Sequence, residues 1–451
     1  MRNRRIAKTL SHRYIAVTPA RRRDNEKNMK RPDRAGAIAA SRPAPAPPAL
    51  KIPFVEFVAL AAAMMAMTAM SIDIMLPALP DIGAALGVST ENDRQLIVIL
   101  YMAGFAIGQL IYGPISDRVG RKPALMAGLA IFIVGSIAAV MSQSFAALLA
   151  ARVVQGFCAA SPRVVAVAVV RDLYSGRQMA RVMSFAMMTF IIIPVFAPSV
   201  GQALMHFGDW RWTFYALLFM AAALAAWTAA RLPETAAAAV EGAIPLTLPQ
   251  SFKATVTNRQ TMGYGAASGV IFGSLLAYVA SAQQVFVGVF GMGDEFPIFF
   301  GAVASVMAAA SFVNARLVGT LGMRRVSHTA LVGFFASSIV LAAASELGLA
   351  GIAVFVVLMA SAFFFFGLIA PNFNALAMEP QGGNAGMASS IVGSLSTAIG
   401  AVCGAVIGRA FDGSVTPLAL GFAACAALAF AMLLAIEGHV GLFGRASLTK
   451  A

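Results

Sequence analysis

Charged residues make up only 12% of this 451-residue chain, and just 19 residues are Asp or Glu. A soluble domain carries about a quarter charged residues, so a water-soluble protein is excluded. Cysteine is scarce too. Cys158, Cys403 and Cys425 lie singly inside apolar segments, which leaves neither a disulfide framework nor a CxxC metal pattern. The four histidines, His12, His206, His328 and His439, fall in tails or at the ends of apolar segments. Histidine-centred catalysis or metal ligation inside those segments is therefore not expected, nor is a cofactor. No cluster of His, Asp and Glu marks one face for an acyl or glycosyl transferase.

What the chain has in excess is apolar length: 59% of it is hydrophobic and its mean hydropathy is +0.80. One membrane crossing needs about 20 apolar residues. Twelve such stretches are bounded by charge, Pro or Gly: about 54–79, 95–114, 124–142, 145–170, 180–205, 211–230, 262–287, 296–318, 327–346, 350–377, 384–409 and 414–436. They are too long and too unalternating for barrel strands, and lipid offers no partners to free backbone groups, so each must be a helix. The expectation is an all-α membrane protein with twelve transmembrane helices.

The organisation follows from charge. The first 50 residues hold 13 of the 33 Lys and Arg, including Arg21, Arg22 and Arg23. No apolar run follows them before residue 50, so they do not read as a cleavable signal peptide. Residues 1–52 read as a basic, Pro-rich disordered tail near anionic lipid rather than a nucleic-acid-binding segment. Met29 offers an alternative start, and Ser41–Pro48 reads as a stiff linker. Twelve basic residues, from Arg118 to Arg325, fall in loops on one side, against Arg94, Arg211 and Arg409 on the other. By the positive-inside rule both termini are cytoplasmic. The chain divides into a six-helix half over 53–230, a cytoplasmic loop over 231–261, a second six-helix half over 262–436, and a cytoplasmic tail over 437–451. The halves echo one another. Gly113–Lys122 (GPISDRVGRK) and Asn314–Arg325 (NARLVGTLGMRR) stand about 202 positions apart.

Four places carry candidate chemistry. In the loop after span 2, Gly113 and Gly120 allow close approach, and Asp117 can meet a helix N-terminus or an Arg. Arg118 and Arg121 are expected to pair across the cytoplasmic face as a latch for one conformational state. Asp73 lies deep in span 1, where an acid costs roughly 3 kcal/mol and marks a functional position. An apolar surround favours the neutral carboxyl, so Asp73 is the candidate to load and release a proton. Arg152 sits at a similar depth on span 4, with Asp73 its expected partner. Arg163, deeper on that span, acquires no role from the sequence. Pro194 and Pro198 remove backbone donors from span 5.

Together these motifs resemble the major facilitator superfamily, and within it the Bcr/CflA group of drug:proton antiporters. The resemblance rests on DIMLPALP from Asp73, GPISDRVGRK, RVVQG from Arg152, VRDLYSG, DWRWTFY, RLPET, PNFNALAME and GMASS, and spans about 54–436. Where the family's antiporter motif reads G-P-x-x-G-G, this chain has Ala197-Pro198-Ser199-Val200-Gly201-Gln202, so Pro198 and Gly201 are the matching positions. The resemblance implies the major facilitator fold with a site between the halves. It makes Arg152 the proton-relay arginine and Asp73 the acid of the span 1 motif. By helix and depth, Tyr101, Gln155, Tyr278, Gln283, Asn374 and Phe363 are candidates for the substrate path. Of the four consecutive phenylalanines from Phe363 to Phe366, half should face lipid or packing.

The expected function is proton-coupled efflux of small, largely apolar drugs across a bacterial inner membrane by a monomer. The alternative is a narrow carrier for an amino acid or other metabolite. Few buried charges beyond Asp73, Arg152 and Arg163 argue against sugars and anions. A channel fits the two-half repeat less well than alternating access.

Overall fold

The computed structural model describes residues 52–174, 176–235 and 248–441. The basic tail before residue 52, the middle of the central loop over 236–247, and residues 442–451 lie outside the described residues. Among those described there is no strand. The helices before the linker are α1 (Phe54–Asp73), α2 (Leu79–Ala85), α3 (Leu96–Val119), α4 (Arg121–Val140), α5 (Phe145–Leu173), α6 (Gly176–Met205) and α7 (Arg211–Arg231). The linker carries a short helix, α8 (Leu248–Val256). After it come α9 (Arg259–Gln283), α10 (Phe296–Leu321), α11 (Met323–Glu346), α12 (Ile352–Met378), α13 (Ala385–Arg409) and α14 (Thr416–Gly441). Eleven spans of the described chain are long and apolar enough to cross a membrane, one of them joining α1 and α2. The 30-residue α6 is the remaining long helix.

Most boundaries fall within a few residues of the apolar stretches, and the departures have local causes. The first span breaks after Asp73 into a 3-10 turn, Leu76–Ala78, before α2 begins at Leu79. Pro77 and Pro80 have no N–H to continue the ladder. The central loop is partly ordered by α8, which is tied to the start of α13. Asn384 Nδ2 donates to the Ser251 carbonyl (2.8 Å) and to Thr255 Oγ1 (2.9 Å). Span 7 overruns into a π-turn, Gln284–Val289. α6 runs unbroken through Pro194 and Pro198.

The sequence echo is visible in the backbone. Gly120 (φ 101°) separates α3 from α4, and Gly322 (φ 80°) separates α10 from α11. A φ of that sign is open to glycine without steric cost, so each half makes the same sharp reversal at the same point. The ends of α1, α7, α9, α11 and α14 gather on this face, where Arg231 pairs with Glu56 (2.6 Å) and Arg324 with Glu437 (2.6 Å). We call it the terminal face, and its opposite the far face.

Close helix contact comes from small residues, as in other membrane bundles. A Cβ placed on Gly156 of α5 would stand 1.8 Å from the Tyr101 carbonyl of α3. Across the two helix sets, α3 packs on α13 and α6 on α10. The outward surface is apolar, with Phe219 76% and Val357 66% exposed, as a lipid-facing wall must be.

Gly156→Ala is expected to cost about 2 kcal/mol, because a carbonyl oxygen on a packed helix cannot yield. Gly319→Ala, with open space around it, should leave stability unchanged or raise it. Melting curves of the two detergent-solubilised variants check this; equal midpoints would show that α3 and α5 separate freely.

Candidate functional site

A cavity of about 580 Å³ opens between the two helix sets, walled by α1, α3, α5, α6, α9, α10, α12 and α13. Four sequence-predicted residues line it: Asp73, Tyr278, Phe363 and Asn374. Phe366 joins Phe363 on the wall, while Phe365 packs against Gly333 of α11. One helical turn separates the two wall positions, as the period of 3.6 requires. Tyr278 stacks on Phe300 (centroids 5.3 Å apart) and meets Phe363 edge-on (4.7 Å). Sequence reasoning missed Gln109, Ser268, Ser396, Thr397 and Arg163, all on this wall. Their signal was a polar residue in mid-span; which of them face inward depends on the rotation of each helix.

The other path candidates sit elsewhere. Gln283 lines a second cavity of about 330 Å³ at the far face, with Gln202, His206 and Asp294. Tyr101 and Gln155 are fully buried around Arg152 instead. Arg152 donates from Nε to the Ile97 carbonyl (3.1 Å), from Nη1 to Gln155 Oε1 (2.9 Å) and from Nη2 to the Ser71 carbonyl (2.9 Å). Its guanidinium lies 4.3 Å from the centre of the Tyr101 ring, a cation–π contact. Gln155 is held in turn by Ser136 Oγ, to which its Nε2 donates (2.9 Å).

This corrects the expected Asp73–Arg152 pair. None of the eight ion pairs among the described residues joins them. The cause is the early end of α1. Ser71 is within its last three residues, whose carbonyls lack intrahelical partners and carry the negative end of the helix dipole. Arg152 takes that carbonyl, and Asp73, 4% exposed, stays on the cavity wall.

The latch loop also departs from expectation. Arg121 pairs with Asp117 and with Asp172 at the end of α5 (2.8 Å), and donates to Ser116 Oγ (2.9 Å). Glu234, just past α7, accepts from the backbone N–H groups of Arg121 (2.8 Å) and Lys122 (3.1 Å). It thereby caps the N-terminus of α4. These partners lie on the first helix set or, for Glu234, at the start of the linker just past α7, so the cluster does not reach the second set. Arg118 is exposed and joins none of the described ion pairs. Two acids on neighbouring helices of its own half satisfy Arg121 before anything on the other half can reach. Gly113 does face the other set: a Cβ there would stand 2.5 Å from Ser390 Oγ. Pro198 and Gly201 are buried on α6, and a Cβ on Gly201 would stand 1.9 Å from the Ile74 carbonyl. The matching part of the antiporter motif thus packs α6 against the backbone beside Asp73.

At the far face the two helix sets are bridged directly. Gln95 donates to Gln284 Oε1 and to the Gly408 carbonyl (3.1 Å), Gln284 to Asn92 Oδ1 (2.8 Å), and Asn92 to the Phe411 carbonyl (2.9 Å). Toward the terminal face, Gln109 donates to Thr397 Oγ1 (2.8 Å). Among the described residues no three His, Cys, Asp or Glu come together as a metal site.

Glu234→Gln removes the charge at the start of α4 and is expected to cost about 1 kcal/mol, lowering the melting midpoint by a few degrees. An unchanged midpoint in thermal unfolding would show that the cap carries no weight.

The family model of the Major Facilitator Superfamily matches residues 60–405. A bicyclomycin resistance protein homolog of Haemophilus influenzae is 32% identical over 366 residues, 78% of this chain and 89% of the relative. A protein of Escherichia fergusonii named multidrug resistance protein MdtL is 30% identical over 334 residues, 74% of this chain and 82% of the relative. Among solved structures, a D-xylose-proton symporter superposes with a TM-score of 0.69 at 12% identity, over 88% of this chain and 99% of that one, a likeness of fold alone. With most of the helical body matched and relatives at 30% identity or above, the chain belongs to the major facilitator superfamily, in its Bcr/CflA group, and is a multi-pass membrane transporter of small molecules rather than an enzyme.

Proposed function

We propose that the protein exports small, largely apolar compounds from a bacterial cytoplasm across the inner membrane, one molecule at a time, in exchange for inward protons. The observation that carries this reading is Asp73: a carboxyl on the wall of the cavity between the helix sets, in none of the ion pairs among the described residues. A carboxyl so placed is neutral when a proton occupies it and attracts a cation or a hydrogen-bond donor when the proton leaves. Proton and cargo then alternate at one site, and each shifts the balance between inward- and outward-facing states. One charge moving through 100 mV supplies about 2.3 kcal/mol, enough to bias an equilibrium of a few kcal/mol.

The terminal face is cytoplasmic in this reading, since the basic loops gather there. Residues 53–230 and 262–436 rock as two units in a monomer, with the amide bridges of Gln95, Gln284 and Asn92 opening in the outward-facing state. Arg152 holds the broken end of α1 in place, so that Asp73 keeps its position as the units move. The names of the relatives at about 30% identity, a bicyclomycin resistance protein homolog and a multidrug resistance protein, support drug-like cargo.

Asp73→Asn is expected to elute as a folded monomer yet lose gradient-driven efflux from everted vesicles by at least about tenfold, the ratio that 1.4 kcal/mol of lost bias sets. Undiminished efflux would remove Asp73 from the coupling scheme. Arg152→Lys keeps a charge but not the planar fork that reaches three acceptors, and its efflux should fall to a similar degree; normal drug resistance in cells carrying it would make Arg152 dispensable.

A further inference from the structure

Arg163 lies on the same cavity wall as Asp73, at the other end of it. The depth of each group can be read from the helices. Arg152 reaches the Ser71 carbonyl of α1, so it stands level with the Asp73 end. Arg163 follows eleven positions later on α5, about 16 Å of helix rise toward the terminal face. Its guanidinium centre sits 5.5 Å from the Phe105 ring, which is also on the cavity wall. Gln109 and Thr397, bonded to each other, share this end of the cavity: Gly108 of α3 packs on Phe157 and Ala160, one turn before Arg163.

The cavity is therefore polarised. Among the described residues one acid and one base are the charged residues on its wall, and an aromatic stretch of Tyr278, Phe300 and Phe363 lies between. The Tyr278 hydroxyl, in a residue 1% exposed, finds no hydrogen-bond partner among the described residues. A buried hydroxyl left without a partner costs free energy, and a cargo molecule bearing an acceptor would relieve it. When the proton has left Asp73, carboxylate and guanidinium stand at opposite ends of the wall, and an oxyanion is favoured at the Arg163 end alone.

We propose that the cavity selects amphipathic molecules carrying one carboxylate or comparable oxyanion, which Arg163 holds, with the aromatic or apolar body lying against Tyr278, Phe300 and Phe363. The guanidinium fork suits a planar oxyanion in two parallel hydrogen bonds. The three isolated intramembrane charges of the sequence argue against anionic cargo only while their positions are unknown; on the wall, Arg163 turns that argument round. The inference rests on this cavity being the cargo site of the proposed exporter.

Dansylglycine and its methyl ester are matched in size and aromatic body and differ in charge. Binding of each is measured by equilibrium dialysis against the full-length protein in lipid nanodiscs, with empty nanodiscs subtracted. The acid is expected to bind at least about tenfold more tightly than the ester, the scale of a hydrogen bond to a charged group. Arg163→Gln should bring the two within about threefold, and Arg163→Lys should keep the acid preferred; if the Gln variant does not elute as a folded species, Arg163→Ala is read in its place. Equal binding by the wild-type protein, tighter binding of the ester, no binding of the acid, or an acid preference that survives the loss of Arg163 would each overturn the inference. Gradient-driven efflux of an uncharged drug is followed in parallel. If it runs while the acid is not preferred, only the anion inference falls; if the acid is preferred while efflux ignores the gradient, only the exchange reading falls.

Discussion

The early end of the first helix governs the site. Inside a membrane a charge must find a protein partner, because lipid provides none. Two such charges, Asp73 and Arg152, lie at one level, and the simplest outcome is that they neutralise each other. The helix break at Pro77 prevents it. By ending α1 at Asp73, it leaves the Ser71 carbonyl without an intrahelical partner, and that carbonyl, with those of Ile97 and the Gln155 side chain, satisfies Arg152. The arginine becomes a fixed part of the scaffold, sealed beneath Tyr101. The carboxyl remains on the wall of a cavity large enough for cargo.

The rest of the scaffold holds that arrangement with contacts of two kinds. Contacts within a set are close and unyielding: Gly156 against the Tyr101 backbone, Gly201 against the Ile74 backbone. The ionic clusters at the terminal face also stay within their sets. Arg121 is bound by Asp117 and Asp172, and Arg324 by Glu379 and Glu437. Between the sets lie amide and hydroxyl pairs such as Gln95 with Gln284 and Gln109 with Thr397, together with the pairing of Arg409 with Asp93 (3.6 Å) at the far face. The neutral bonds among them are worth about 1 kcal/mol each.

Much of this was readable beforehand, for identifiable reasons. Asp73 stood out because an acid is rare in an apolar helix, and Gly120 because the same Gly-and-basic pattern recurs 202 residues on, at Gly322. The partner of Arg152 was not readable: nearby carboxyls are visible in a sequence, but a backbone carbonyl released by a helix end is not. Likewise the DRxGR loop shows its charges plainly, while Glu234 and Asp172, which hold Arg121, come from more than fifty residues away. Tyr101 and Gln155 have the polarity of path residues, yet the rotation of α3 and α5 turns them toward Arg152.

Sequence alone determined the helical class, the number of long apolar segments, the two-half repeat and the residues that lipid would make costly, because each of these follows from hydrophobicity and local backbone preference along the chain. Tertiary structure decided which of those residues meet. It put Arg152 on carbonyls, Arg121 on its own half, and Asp73, Tyr278 and Arg163 on one wall. Such pairings depend on helix rotation and depth, set by close packing between segments far apart in the chain, and no local pattern encodes them.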